Sequence, residues 1–126
     1  MKRVYIALAL LVLCCTFSLF SFFTITKESK AMLTSCSEIE KLLEQEDYEK
    51  ISEQGKAIKE RWKKESLPFS LLTTHYHYDA IEESVDKLYH AANSRQKEDI
   101  RKAAEDLAFE ATHIITSIAP KAENIF

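Results

Sequence analysis

The feature that most constrains this chain is a run of 23 residues, Val4 to Thr26, without a charged side chain. As a helix it is roughly 34 Å long, enough to cross a hydrocarbon core of ~30 Å with some tilt. Thirteen residues of Val4–Ile25 are Leu, Ile, Val or Phe. Together they favour insertion by about 4 to 8 kcal/mol, which outweighs Thr16, Ser18, Ser21 and Thr24. A cleaved signal peptide has a shorter apolar stretch followed by a small-x-small site. Here the stretch continues through Phe20, Phe22 and Phe23, and no Ala-x-Ala follows. A lipoprotein signal places a small residue before the modified cysteine, whereas Leu13 precedes Cys14 and Cys14 precedes Cys15. The sequence therefore predicts an uncleaved span. It divides the chain into 1–26 (tail and transmembrane helix), 27–45 (juxtamembrane helix), 46–119 (helical bundle) and 120–126 (C-terminal tail).

Charge separates the two parts. Residues 1–26 carry Lys2 and Arg3 and no acid, whereas residues 27–126 have a net charge of −5. An acidic body with alternating charge signs reads as a solvated helical surface and gives no reason to expect nucleic acid as a partner. With one glycine in 126 residues, Gly-rich phosphate cradles and dinucleotide-binding fingerprints are excluded. Orientation is less constrained, because Lys2 and Arg3 flank one end of the span and Lys27, Lys30 and Lys41 the other. The short tail before a single span leans toward an extracytoplasmic body on a cell-membrane protein.

In the body, apolar residues recur every three or four positions, the helical stripe. The stripes are Ile100, Ala104, Leu107, Ala111, Ile114, Ile118; then Leu71, Thr74, Tyr78, Ile81, Val85, Leu88, Ala92; and Tyr48, Ile51, Gly55, Ile58, Trp62. No useful stretch alternates with a strand's period of two, so the expected fold class is all-α. Leu67-Pro68 is expected to end one helix, Asn93-Ser94 to form a turn and N-cap pair, and Pro120 to close the last helix near Ala119. Cys36, Ile39 and Leu43 form a stripe rotated by nearly 100° from the Tyr48 stripe. A break is therefore expected in Glu44-Gln45-Glu46-Asp47, with Asp47 as N-cap. The stretches Glu46–Glu53 and Glu98–Glu105 echo one another, and each opens the second helix of a hairpin. The expected architecture is an N-terminal transmembrane helix followed by a small antiparallel bundle of two helical hairpins.

Motifs that suggest chemistry are weak. His75-Tyr76-His77-Tyr78-Asp79 resembles the His-x-His-x-Asp-His signature of metallo-β-lactamase-like hydrolases, but Ala80 stands where the last His belongs. On a helix, residues two apart also point about 200° apart. Glu110-x-x-His113 has the spacing of di-iron bundles, but one motif is not the required set, and His113 falls about 140° from its helix's apolar stripe. His75, Asp79, Glu82, Asp86 and His90 line one flank of a helix; they read as a solvated face with His75 and Glu82 at the core edge, or alternatively as a cation-sensing flank. Lys56, Lys59 and Lys63 share a face, with Lys64 adjacent. They read as solvated beside a core Trp62; the alternative is a Trp62–Phe69 turn touching anionic lipid, with Leu67 and Phe69 at its tip. Phe109, opposite its stripe, is the first candidate for a partner contact. Cys14 and Cys15 read as apolar residues at mid-membrane depth, and Cys36 as a free or buried thiol rather than one bridged to another chain.

One span, the Glu46-Asp47-Tyr48 helix start, Trp62, the His-containing third helix and the closing Glu123-Asn124-Ile125-Phe126 together resemble the domain-of-unknown-function 4363 family. Its members are small single-pass membrane proteins of Gram-positive bacteria, often encoded beside a multi-span membrane protein. The resemblance implies no activity, cofactor or site residues. The sequence therefore predicts a membrane-anchored helical module that interacts with, or scaffolds, another membrane or envelope protein. The alternative is an extracytoplasmic ligand- or cation-sensing domain. No enzyme activity is expected, and no catalytic, cofactor-binding or metal residue is assigned.

Overall fold

The computed structural model describes residues 1–118, without the Ile118 side chain, and these form four α-helices and no strand. The helices are α1 (Lys2–Glu44), α2 (Tyr48–Leu72), α3 (His75–Ser94) and α4 (Lys97–Ile118). The ending Glu123–Phe126 and the expected stop at Pro120 lie outside the described residues.

The 43 residues of α1 make one helix about 64 Å long. Its two halves do different things. Residues 1–20 are exposed throughout, and this half is long and apolar enough to cross a membrane. The second half buries Ile25, Ser29, Met32, Cys36, Ile39 and Leu43, at spacings of four and three that keep one face toward the other helices. The Cys36 stripe thus extends three turns further down than the sequence suggested. The helix pairs in contact are α1–α2, α2–α3, α3–α4 and α4–α1. The bundle is therefore a closed, alternating up-and-down ring, with the core of Ile51, Ile58, Ile81, Leu88, Ile100, Leu107 and Ile114 at its centre.

The break after Leu43 falls where the stripe rotation requires it. Glu46 N–H donates to Leu43 O and Asp47 N–H to Leu42 O, with Glu46 at φ 55°, the paired bonds of a Schellman stop. Asp47 then caps α2, its carboxylate accepting from Lys50 N at 3.3 Å.

Three expectations about boundaries need correction. Pro68 does not end α2, which runs on to Leu72 with Pro68 inside it. An interior proline costs about 3 kcal/mol. Burial of Phe69, 2% exposed, supplies a similar amount, and its edge-to-face contact with Trp62 at 5.3 Å adds about 1 kcal/mol. Leu67 and Phe69 are thus not a common tip: Leu67 is exposed and Phe69 is core. Leu71 belongs to α2 and is exposed; Thr74 is the N-cap of α3, accepting from His77 N–H. Asn93 and Ser94 are still helical, and the turn is Arg95–Gln96, with Arg95 left-handed at φ 57°. Ser94 Oγ donates to Ala91 O at 2.6 Å and accepts from Gln96 N–H at 3.2 Å.

Candidate functional site

Antiparallel packing places the α2–α3 turn and the end of α4 beside the middle of α1. Leu72 shares an open cleft of about 270 Å³ with Phe17, Ser21, Phe22 and Ile25. His77 of α3 lies 5.5 Å from His113 of α4, ring centre to ring centre. The end of the bundle nearest the apolar half of α1 is therefore built from residues 66–78 and 111–118.

Just above this end, α3 and α4 form a surface groove of about 410 Å³. Tyr76 and Phe109 give it apolar walls, and Asp79, Glu83, Asp106 and Glu110 give it negative charge. Tyr76 and Phe109 are 69% and 68% exposed, so each ring presents most of its surface to whatever enters. Lys87, the one cation lining the groove, donates to Glu83 at 2.8 Å. This bond holds the ammonium pKa above its ordinary value and the Glu83 carboxyl below its own, so both stay charged. Such a surface suits a partner carrying a cation and an apolar side chain together. Phe109, singled out by its position opposite the α4 stripe, stands here beside His113 at 6.2 Å, the rings nearly parallel.

The other residues considered from sequence are dispersed. His75, Asp79, Glu82, Asp86 and His90 are all exposed, and among the described residues no three His, Cys, Asp or Glu side chains converge as a metal site would require. His75 and Glu82 lie on the surface rather than at the core edge, and the hydrophobic line of α3 runs from Tyr78 through Ile81, Val85 and Leu88 rather than from Leu71. Glu82 accepts from the Tyr78 hydroxyl at 3.5 Å. Asp86 pairs with Lys59 at 3.2 Å, and the same ammonium lies 4.4 Å over the Tyr89 ring. Lys59 is thus engaged within the bundle, while Lys56 and Lys63 remain exposed. Trp62 is core, 4% exposed. His75 and His77 do not act together: His77 turns inward with Nδ1 buried and unpartnered, and His75 stays outside. Cys36 is 2% exposed, and its thiol pKa is pushed up to about 12, first by burial and then by Glu40. It is a buried free thiol with no surface for a bridge to another chain.

Two features had no readable signal in the sequence. The His77–His113 contact joins helices whose rotational relation only the packed bundle defines. The second is an ion pair: Glu28, 6% exposed, accepts from Arg61 Nε at 2.9 Å and Nη2 at 3.1 Å. These hydrogen bonds raise the guanidinium pKa further above its ordinary value. The pair fixes the rotation of α1 against α2 one turn above Ile25.

With this geometry in place, the chain can be set beside known proteins. A family model described as Domain of unknown function (DUF4363) matches residues 19–125. The chain belongs to the DUF4363 family. The match begins inside the apolar half of α1 and takes in all of α2, α3 and α4, so the DUF4363 unit is the bundle together with the helix that enters it. The chain has no match among curated proteins or among solved structures.

Proposed function

We propose that this DUF4363 protein is a single-pass membrane module whose α3–α4 groove docks another membrane or envelope protein through a basic, partly apolar segment. The observation that carries the reading is the continuity of α1 from Lys2 to Glu44. A helix without a hinge couples whatever holds its first half to whatever binds the bundle around its second half. The acidic groove with its exposed aromatic pair lies at the end nearest the apolar half, within reach of a second membrane protein. In this reading Lys2 and Arg3 stay in the cytoplasm and the bundle faces outward.

The test is site-specific photo-cross-linking in native membranes. A cross-linker at Glu83, inside the groove, gives one discrete adduct, and the adduct is lost when Phe109→Ser is introduced. A cross-linker at Lys56, on the α2–α3 face and outside the groove, gives none. Equal labelling from both positions, or an adduct indifferent to Phe109→Ser, overturns the reading.

A further inference from the structure

We propose that the end of the bundle is itself seated in the lipid interface, so that residues 66–78 and 111–118 form a collar around α1 within the headgroup and upper acyl layer. The inference rests on the reading of α1 as a membrane anchor and adds a second lipid contact to it.

Three observations carry it. All four helices lose charge at this one end. Formally charged side chains are absent from Val4–Thr26 on α1, from 66–78 across the α2–α3 turn, and from 111–118 on α4, counting His as neutral. The boundaries coincide in space as well: Glu28 and Glu65 line one cleft, and Asp79 and Glu110 line another. By helical rise the collar is about 10 Å deep on α2, about 12 Å on α4 and about 6 Å on α3. That is close to the ~5–10 Å by which interfacial apolar faces enter a bilayer.

The second observation is where apolar side chains are exposed. Beyond the first 23 residues, the large exposed hydrophobic residues among those described are Leu67, Leu71, Tyr76 and Phe109. Three lie in the collar and Phe109 stands at its upper edge. Leu67 and Leu71 are 69% and 76% exposed, on successive turns of one face of α2. In water this face is unfavourable; against lipid it is matched, with Tyr76 at the depth aromatic belts occupy. The collar's remaining hydroxyls are largely turned inward on their own helices: Ser66 donates to Lys63 O, Ser70 to Leu67 O, Thr116 to Thr112 O and Ser117 to His113 O. Thr16 and Ser21 of α1 do the same.

The third is depth. A hydrocarbon core of ~30 Å entered at Val4 is spanned by about 20 helical residues, ending near Phe23. Leu72 sits beside Phe17–Ile25, level with or below that edge. A bundle standing clear of the bilayer would have to draw the last turns of the apolar run out of it. Just above, Lys27, Lys30, Lys63 and Lys64 stand where lipid phosphates lie.

The experiment uses the full chain in vesicles of phosphatidylcholine and phosphatidylglycerol brominated near the top of the acyl chains. Single tryptophans are placed in a Trp62→Phe background by Leu71→Trp, Tyr76→Trp, Phe20→Trp and Glu49→Trp. The first two are expected to be quenched nearly as strongly as Phe20→Trp and to emit blue-shifted light, while Glu49→Trp is unaffected. If Trp62→Phe disturbs folding, the same probes are read with Trp62 retained and the parent signal subtracted. Quenching of Phe20→Trp alone, with water-like emission from the collar probes, overturns the inference and leaves the anchor standing. That is also the result if a protein, rather than lipid, covers the collar. No quenching at Phe20→Trp removes the anchor and the collar together.

Discussion

Gly55 is the point of closest approach between α2 and α3, and its replacement by alanine tests the packing directly. A Cβ built at Gly55 meets the Ala92 Cβ at 2.7 Å, with Tyr89 Cα at 3.8 Å and Leu88 O at 3.9 Å. Carbon atoms in contact settle at about 3.5–4.0 Å, so α2 and α3 must separate by roughly 1 Å at this turn. Neither methyl can rotate away, because both are fixed to helical backbone. Overpacking of this kind costs about 1–3 kcal/mol, while alanine's better helix propensity returns up to ~1 kcal/mol. Gly55→Ala is therefore expected to destabilise the bundle by about 1–2 kcal/mol, lowering the thermal midpoint by roughly 4–15 °C in a domain of this size. The assay is circular dichroism of the full chain in mild detergent. Pairing the change with Ala92→Gly removes the collision, so the double variant should be more stable than the sum of the two single changes by about 1 kcal/mol or more. A higher midpoint for Gly55→Ala, or strict additivity in the double variant, would refute the close approach.

Three further outcomes follow from single contacts. Glu46 holds a left-handed φ of 55° at the end of α1, so Glu46→Gly should raise stability by about 0.5–1 kcal/mol, read as a higher midpoint in the same melts. Arg61→Met leaves the Glu28 carboxylate buried without its partner and should cost about 1.5–3 kcal/mol, less than a fully buried pair because Arg61 is half exposed; Glu28→Met with Arg61→Met should recover at least half of that loss. Cys36 should resist maleimide at pH 8 in the folded bundle and react once denatured. Because its folded pKa of about 12 exceeds the unfolded value, the native state holds the proton longer, so stability is unaffected below about pH 8.5 and falls as pH rises from there toward 12.

Much of the fold was legible because it is written in local terms. The uncharged run, the three-and-four spacing and the phase change between Cys36–Leu43 and the Tyr48 stripe each depend on nearby residues, and the structure follows them. Pro68 was misread for the converse reason. The local rule disfavours proline inside a helix, but the burial of Phe69 against Trp62 is a tertiary term of the same size, invisible until α2 is packed. Leu71 was assigned to the wrong helix as a consequence. The groove was half legible: Phe109 stood out by its phase, whereas Tyr76 and the four carboxylates acquire meaning only when α3 and α4 lie side by side. Glu28 could not be distinguished from the exposed acids around it, since its burial comes from the rotation of α1 that Arg61 helps to set.

The misread proline also carries a physical consequence for the molecule as a whole. A second helix ending at Leu67 would turn five residues earlier, withdrawing the tip by roughly 7 Å and leaving Leu71 and Leu72 short of the Phe17–Ile25 segment. By continuing through Pro68, α2 spends its last turn beside the apolar half of α1. Phe69 and Leu71, two residues apart on one turn, face opposite ways: the first is buried under Trp62 and the second is left outside. The same turn thus closes the core and presents apolar surface outward. The Glu28–Arg61 pair sits about two turns further up α2, where a carboxylate has left water for protein and a guanidinium still reaches solvent. Beyond Lys27, Glu65, Asp79 and Glu110 toward this end, formally charged side chains are absent from all four helices as far as Val4 on α1 and Ile118 on α4, counting His as neutral. A bundle built to stand free in water has no reason to shed charge from four helices at one end while exposing leucine there; one that meets an apolar medium at that end does.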